Sequence, residues 1–376
     1  MQYDFDTELQ RRGTNSVKWD LAGPEELPMW VADMDFPAAP EIAEAIRRRA
    51  EHPVWGYTTL PDAWYEAVLG WWKTRHGFEM EREWLLFANG AVPAISSVVR
   101  RLTQPGEGVL IQSPVYNHFF ISIEDNGRRA VESLLQYENG TYRVDFADLE
   151  AKLADPQTTL MILCNPHNPT GMIWDRETLA RVGALCEKHQ VLVLSDEIHF
   201  DLILGERPHT VFATLSEEAA QNCVVCTAPS KTFNLAGLQT SNIIIPNAKL
   251  REKLLDVRKR LGLHGCNILG YQACEAAYRY CEDWLEQLLV VLRENRELVR
   301  TFTRAWLPGI KPVELEGTYL QWLDCRALGM DAKALEKFMQ EKSLWFTDEG
   351  YIFGTGGEGF ERINLACPTW VLRKAL

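Results

Sequence analysis

The chain has 376 residues, 46% of them hydrophobic, and a formal net charge of −13 at pH 7. This length predicts one large domain with a smaller one, and the hydrophobic content excludes a disordered chain. The acidic balance disfavours a nucleic-acid partner, because phosphate binding requires clustered Lys and Arg. The densest basic runs are residues 47–49 and 258–260.

Three further features predict a cytoplasmic protein without a metal site. No apolar run approaches the roughly 20 residues of a membrane helix. The acidic N-terminus, Met1-Gln-Tyr-Asp, lacks the basic and apolar regions of a signal peptide. The nine cysteines indicate reduced thiols rather than a disulfide framework. Cys223 and Cys226 have metal-ligand spacing, but they lie in an apolar strand-like run without a second pair, which favours packing.

The first 40 residues lack strong periodicity and contain several prolines, which predicts an extended arm. Apolar residues at helical spacing then predict helices at 40–50 and 62–76. Beyond residue 87, short apolar runs alternate with amphipathic helices, which predicts an α/β fold with a mostly parallel sheet covered on both faces. The predicted strands are 109–112, 159–164, 191–194 and 223–226, and the predicted helices include 94–102 and 175–189.

The final third predicts a smaller α+β domain. A helical stretch at 271–306 is too long for one ordinary helix, so we expect it to bend or to link two domains. A strand at 318–323 and helices from 331 and 369 follow. The predicted organisation is an arm at 1–40 that packs with the small domain, a large domain at 41–280 and a small domain at 281–376.

Polar side chains follow four predicted strands where each strand ends. Tyr116 follows the first strand, Asn168 the second, Asp196 the third, and Ser230 with Lys231 the fourth. Ligands of open parallel sheets bind outside the carboxyl ends of the strands. The four strand ends together therefore predict one ligand site.

Lys231 is the candidate nucleophile. Burial at a strand end lowers the pKa of a lysine amine, because the charged form is costly to desolvate. The neutral amine can form a Schiff base with an aldehyde cofactor. A single lysine in such a loop is more often an exposed surface residue, so the assignment depends on the other strand ends.

Pyridoxal phosphate (PLP) accounts for these residues together. A cationic ring nitrogen would compensate the buried carboxylate of Asp196, Asn168 can donate to a phenolate oxygen, and Tyr116 can stack on a planar ring. An Asn-Pro turn at 165–171 and a helix cap at Asp196 are the alternatives for each motif alone. Phosphate binds amides at a helix N-terminus, and three residues open a helix after a strand: Gly90, Ala91 and Val92.

The motifs resemble those of fold-type I PLP enzymes in the class I/II aminotransferase superfamily. They are Asn165-Pro-His-Asn-Pro-Thr-Gly171, Asp196-Glu-Ile-His199 and Ser230-Lys-Thr-Phe-Asn-Leu-Ala-Gly237. Three more segments are similar to the MalY/PatB type of cystathionine β-lyase. They are Pro28-Met-Trp-Val-Ala-Asp-Met-Asp-Phe-Pro37, Trp55-Gly-Tyr-Thr58 and Arg362-Ile-Asn-Leu-Ala-Cys-Pro368.

The resemblance implies a large domain with a seven-stranded sheet, and a role for each site residue. Lys231 would bind PLP covalently and move the substrate α-proton. Asp196 would pair with the pyridine nitrogen, and Tyr116 would stack on the ring. Arg362 would bind the substrate α-carboxylate. Asn168 would contact the 3′-oxygen of the cofactor and would also lie next to the substrate. The implied phosphate ligands are Gly90, Ala91 and Ser230, and Val92 is a further cofactor-binding residue. Tyr57 of the partner subunit in a homodimer would also bind the phosphate and lie near the substrate.

Three positions depart from the aminotransferase pattern. His199 stands where a tyrosine is usual, and we expect it to contact the cofactor. Gln239 stands where a phosphate-binding arginine is usual, and Ala228 where a hydroxyl is often found. His199 and Gln239 are compatible with the lyase type and weaken the aminotransferase interpretation.

The resemblance thus implies a carbon–sulfur β-lyase. It would cleave L-cystathionine and related cysteine S-conjugates to a thiol, pyruvate and ammonia. One alternative is an aminotransferase with the same cofactor, and another is a regulatory protein on this fold that binds PLP as a structural or sensing ligand. The presence of both Lys231 and Arg362 favours catalysis.

Overall fold

The computed structural model describes residues 1–260, 262 and 265–376. The side chain of Arg258, in the predicted basic run at 258–260, lies outside the described part. In chain order the helices are α1 Val17–Asp20, α2 Pro40–Ala50, α3 Asp62–His76, α4 Ala91–Leu102, α5 Asn117–Glu124, α6 Phe146–Leu153, α7 Arg176–Lys188, α8 Glu217–Gln221, α9 Pro229–Thr232, α10 Ala248–Arg260, α11 Ile268–Tyr280, α12 Glu282–Trp306, α13 Ala332–Glu341 and α14 Thr369–Ala375.

The strands define two main sheets and two short pairs. In chain order they are β1 Leu27–Pro28, β2 Leu85–Ala88, β3 Gly108–Ile111, β4 Arg129–Glu132, β5 Gln136–Glu138, β6 Thr141–Arg143, β7 Thr158–Cys164, β8 Leu192–Asp196, β9 Cys223–Thr227, β10 Ser241–Ile244, β11 Lys311–Pro312, β12 Leu320–Asp324, β13 Trp345–Phe346, β14 Asp348–Glu349 and β15 Phe360–Asn364.

The larger sheet has seven strands in the order β2-β10-β9-β8-β7-β3-β4. Its neighbours from β9 to β4 run parallel, whereas β10 is antiparallel to both β2 and β9. This arrangement confirms the predicted mostly parallel sheet flanked by helices. The carboxyl ends of β3, β7, β8 and β9 consequently meet at one edge.

Burial on both faces explains why the central strands are continuous apolar runs. Every residue of β3 and of β9 is buried. The side chains of Cys223 and Cys226 lie in the cores on opposite faces of the sheet. The two thiols therefore contribute to packing and do not face a common ligand.

Strands β4 and β10 of the larger sheet were not predicted, because polar residues stand among the four residues of each. Strand β4 forms an edge of the sheet and has no fully buried residue. Strand β10 begins with Ser241 and Asn242, yet all four of its residues are buried. The helical stretch predicted at 271–306 is divided at Cys281, whose backbone angles (φ −111°, ψ 22°) leave the helical region between α11 and α12. It therefore bends, as expected.

A four-stranded sheet in the order β11-β12-β15-β14 forms the second main sheet. The N-terminal arm joins the same part of the chain, because β1 pairs in parallel with β13. The Met29 N–H donates to the Phe346 carbonyl (2.8 Å), and the Met29 carbonyl accepts from the Asn364 N–H (2.7 Å). The domain boundaries near residues 40 and 280 stay predictions.

A search for membrane-crossing helices among the described residues finds none with the necessary length and apolarity.

A buried ion pair fixes the course of the arm. The Lys18 amine lies 2.7 Å from the carboxylate of Asp35, which also accepts from Arg11 (2.6 Å) and from the Trp19 indole (2.7 Å). Burial opposes ionisation of Asp35, but the two cations hold its pKa below the usual value.

We expect Lys18→Met to lower the free energy of unfolding by about 3 kcal/mol, because it leaves a buried carboxylate with one cation fewer. Chemical denaturation measures this. Lys73→Met is the matched control, since it removes a pair with Glu79 of similar length (2.9 Å) on an exposed surface. The control should change stability by less than about 0.5 kcal/mol. Equal losses in the two variants would contradict the prediction.

Candidate active site

A cavity of about 380 Å³ lies at the carboxyl ends of β3, β7, β8 and β9. It is lined by every predicted site residue except Tyr57. These residues are Gly90, Ala91, Val92, Tyr116, Asn168, Asp196, His199, Ser230, Lys231 and Arg362. Segments of the N-terminal arm and of the small sheet complete the wall, so three distant parts of the chain form one site.

Lys231 lies on the short helix α9, two residues after Pro229 begins it. Its Nζ donates a hydrogen bond to the Ala32 carbonyl at 2.7 Å. Burial, followed by the charge of Arg362, lowers the Lys231 pKa to about 8, against the opposing influence of Asp33 and Asp196. Roughly a tenth of this amine is therefore neutral and nucleophilic at pH 7, far more than for an ordinary lysine.

Asp196 ends β8, between Cys164 of β7 and Cys226 of β9. One carboxylate oxygen accepts from the Ile198 N–H at 3.2 Å. Burial raises the Asp196 pKa to about 7, although the Ile198 N–H and Lys231 favour the ionised form. Within the described chain, no lysine or arginine lies within ion-pair distance of this carboxylate, so the site holds an acid that lacks a cationic partner.

Arg362 projects from β15 and is almost completely buried. Its Nη1 donates to the side-chain oxygen of Asn168 at 2.8 Å. Its Nη2 donates to the Trp30 carbonyl at 3.0 Å and to the carboxylate of Asp348. Because the Asn168 oxygen faces Arg362, its amide nitrogen is left as a donor toward other groups in the cavity.

Helix α4 supplies backbone amides at another side of the cavity. It begins at Ala91, directly after Gly90, whose φ of 107° favours glycine. Ser230 and Thr240 line the same cavity. The Thr240 hydroxyl is buried and finds no partner among the described residues. A helix N-terminus with nearby hydroxyls is suited to an anion.

Tyr116 and His199 provide two rings in the cavity. Burial, mainly, raises the Tyr116 pKa to about 12, so its hydroxyl stays protonated. Burial and the charges of Lys231 and Arg362 hold the His199 pKa well below its usual value. The His199 Nδ1 is buried without a hydrogen-bond partner in the described chain. His199 is therefore a neutral ring with an unsatisfied nitrogen beside the site.

Tyr57 lies apart from the cavity of its own chain. Its side chain is fully exposed, as are large parts of Val54 and Trp55 in the same loop. A contribution of Tyr57 from a second subunit stays a prediction.

Sequence reasoning missed several groups that contact the charged residues of the site, among them the Ala32 carbonyl and Asp348. The Ala32 carbonyl binds Lys231 and also accepts from the Tyr319 hydroxyl at 2.9 Å. A backbone carbonyl leaves no mark in side-chain patterns, so it could not be found. Asp348 contacts Arg362 from β14, a two-residue strand that was not among the predicted strands. Its only signal was a carboxylate located 14 residues before the predicted substrate arginine.

Comparison with known proteins identifies the family. Residues 27–376 match the family model described as aminotransferase class I and II. The chain belongs to this family. It is 44% identical over 378 residues to cystathionine beta-lyase PatB of Bacillus subtilis (strain 168), covering 99% of this chain and 98% of that protein.

Two further relatives span the full chain. Protein MalY of Escherichia coli (strain K12) is 34% identical over 381 residues, covering 100% of this chain and 97% of MalY. The crystal structure of cystalysin from Treponema denticola, which contains a pyridoxal 5'-phosphate cofactor, has a TM-score of 0.97 and 42% identity. It covers 100% of this chain and 97% of that one. The predicted superfamily, subtype resemblance and fold are confirmed.

The unpaired Asp196 carboxylate should make the ligand-free protein less stable as pH rises. An unfolded aspartate ionises near pH 3.9, whereas Asp196 ionises near 7. Between these values the folded state keeps a proton that the unfolded chain has lost, so raising the pH through this interval lowers stability.

We therefore expect Asp196→Asn to raise the free energy of unfolding by roughly 1–4 kcal/mol at pH values above that interval, and to have little effect below it. Thermal or chemical denaturation of ligand-free protein across this pH range measures the difference. The wild type at acidic pH serves as the internal control. A stabilisation that did not depend on pH would contradict the assignment.

Proposed function

We propose that the protein is a cytoplasmic, PLP-dependent carbon–sulfur β-lyase. It cleaves L-cystathionine and related cysteine S-conjugates and releases a thiol (homocysteine from L-cystathionine), pyruvate and ammonia. The observation that carries the proposal is that Lys231, with its lowered pKa, and Arg362 line one cavity. Full-length similarity to a protein named cystathionine beta-lyase supports the same reaction.

The cavity fits PLP because its unsatisfied groups match the parts of that molecule. Asp196 lacks a cationic partner within the described chain and would face the ring nitrogen. The free amide of Asn168 would donate to the 3′-oxygen, and Tyr116 would lie on the ring. His199 would contact the ring with its unpartnered nitrogen. The phosphate ligands would be Gly90, Ala91, Val92 and Ser230.

The reaction divides between two residues of this chain. PLP, when bound, supplies an electron sink that stabilises negative charge at the substrate α-carbon. Arg362 binds and orients the substrate α-carboxylate, for which a guanidinium has a suitable shape. The neutral Lys231 amine accepts the α-proton, and its pKa near 8 leaves it poised to do so close to neutral pH.

The elimination balances without an oxidant or a second substrate. As the α-proton moves to Lys231, the electron pair it leaves forms a double bond between the α- and β-carbons. The bond between the β-carbon and sulfur breaks, and its pair departs with the thiolate. Hydrolysis of the unsaturated product with water gives pyruvate and ammonia.

We expect Lys231→Ala to lower pyruvate release from L-cystathionine by roughly 10²–10⁴-fold or more, because the proton acceptor is lost. The assay uses PLP-loaded protein without added keto acid. Lys73→Ala, which removes an exposed lysine, is the control and should retain full activity. Undiminished pyruvate release by Lys231→Ala would contradict the mechanism.

The same assay separates the two other candidate functions. Turnover only after a keto acid is supplied would indicate an aminotransferase. Binding of PLP without turnover in either assay would favour a regulatory protein. Because the matching family is named for aminotransferases, every preparation is assayed both with and without an added keto acid.

We further propose a homodimer in which each subunit's Tyr57 completes the other subunit's cavity. The full exposure of Tyr57 and the half exposure of the neighbouring Trp55 support this, because exposed aromatic residues are typical of interfaces.

Hybrid dimers test the exchange of Tyr57. We expect Lys231→Ala and Tyr57→Ala subunits, each strongly impaired alone, to regain activity when co-expressed. If Tyr57 acts across the interface, a hybrid dimer contains one site with both native residues and about half the wild-type activity per dimer. Differently tagged subunits allow the hybrid to be isolated. If hybrids are as inactive as the parents, Tyr57 does not act in this way.

A further inference from the structure

Asp348 contacts the residue that our proposal assigns to the substrate carboxylate. It lies on β14, directly opposite Arg362 of β15 in the antiparallel register, so the two side chains project from the same face. The Asp348 carboxylate accepts from Arg362 Nη2. Its side chain is 13% exposed and lines the cavity.

The other donors of Arg362 are directed elsewhere. Nη1 is bound to Asn168 and Nη2 also binds the Trp30 carbonyl. The Nε is buried and has no partner among the described residues. An incoming carboxylate therefore meets a guanidinium whose Nη2 already binds the Asp348 carboxylate.

We propose that Asp348 occupies the carboxylate position on Arg362 in the substrate-free enzyme, and that substrate must displace it. Asp348 is thus a residue that sets the affinity for carboxylates rather than one that takes part in bond breaking. The inference rests on the proposed role of Arg362 in binding the substrate.

The surroundings of Asp348 make the displacement feasible. Burial raises its pKa above the usual value, against the influence of Arg362. The charged and titratable groups around it are Arg362, Glu349, Glu361 and Tyr116. Arg362 alone among these favours the ionised form, whereas the two glutamates oppose it. Because a second carboxylate would compete for the same cation, the ionised Asp348 opposes substrate binding.

The test measures binding of 3-(methylthio)propanoate to the PLP-loaded enzyme by isothermal titration calorimetry. This probe is a thioether carboxylate without an amino group, so the measured quantity is affinity and not turnover. Asp348→Asn keeps the size and the hydrogen-bonding oxygen but removes the charge. We expect it to bind the probe about tenfold more tightly, a difference of about 1.4 kcal/mol.

Glu349→Gln is the matched control. It removes the neighbouring charge on the same strand, but Glu349 is not among the cavity-lining residues. The affinity of Glu349→Gln for the probe should stay within about twofold of the wild-type affinity, since a charge outside the cavity contributes little to binding. The advantage of Asp348→Asn should also shrink as the pH falls through the raised pKa of the wild-type carboxyl, which then takes up a proton and ceases to compete.

Arg362→Gln separates this inference from the proposed function. If Arg362→Gln binds the probe as the wild type does, the proposed carboxylate site is wrong, and the role of Asp348 is wrong with it. If Arg362→Gln loses binding but Asp348→Asn binds no more tightly than Glu349→Gln, only the role of Asp348 is overturned. Loss of probe binding in Arg362→Gln, together with tighter binding by Asp348→Asn, supports both the carboxylate site and the role of Asp348.

Discussion

Two cations share one small cavity, and the rest of the site depends on how their charges are balanced. The charges of Lys231 and Arg362 both lower the pKa of His199. The charge of Arg362 also contributes to the lowered pKa of Lys231. Burial alone would make both charges costly. The structure offsets this cost with main-chain carbonyls, from Ala32 to Lys231 and from Trp30 to Arg362. A neutral partner stabilises the lysine without holding it fully protonated, as a nearby carboxylate would.

These carbonyls belong to the N-terminal arm, so the arm is part of the site. Two asparagines bind its backbone carbonyls. Asn234, three residues after Lys231, donates to the carbonyls of Met34 and Phe36 (both 3.0 Å). Asn364, two residues after Arg362, donates to the carbonyls of residues 31 and 33 (2.7 and 2.6 Å). The two motifs that carry the charged residues therefore also carry the groups that fix the arm between them.

The sequence predicted the parts of this arrangement that depend on periodicity and on strand ends. Continuous apolar strands followed by Tyr116, Asn168, Asp196 and Lys231 were sufficient to predict one site at one edge of a parallel sheet. The antiparallel strand β10 was missed because it begins with two polar residues, Ser241 and Asn242, although all four of its residues are buried. Arg362 was recognised only through a motif, since nothing in the spacing brings residue 362 to residue 168.

Contacts made by the backbone or by long-range pairing could not be predicted. The Ala32 carbonyl has no side-chain signature, and Asp348 became visible only when β14 was seen to pair with β15. The contribution of Tyr57 to a partner subunit was predicted only through a motif, because one chain carries no pattern for a contact across an interface. In each case the decisive partner is distant in sequence or lies outside the chain.

The most direct measurement is the product ratio when the PLP-loaded enzyme acts on L-cystathionine with no keto acid present. If Lys231 and Arg362 act as proposed, homocysteine, pyruvate and ammonia accumulate in equal amounts, one of each for every L-cystathionine consumed. A protein that formed no thiol, and instead transferred the substrate amino group only when a keto acid was added, would contradict the β-lyase assignment.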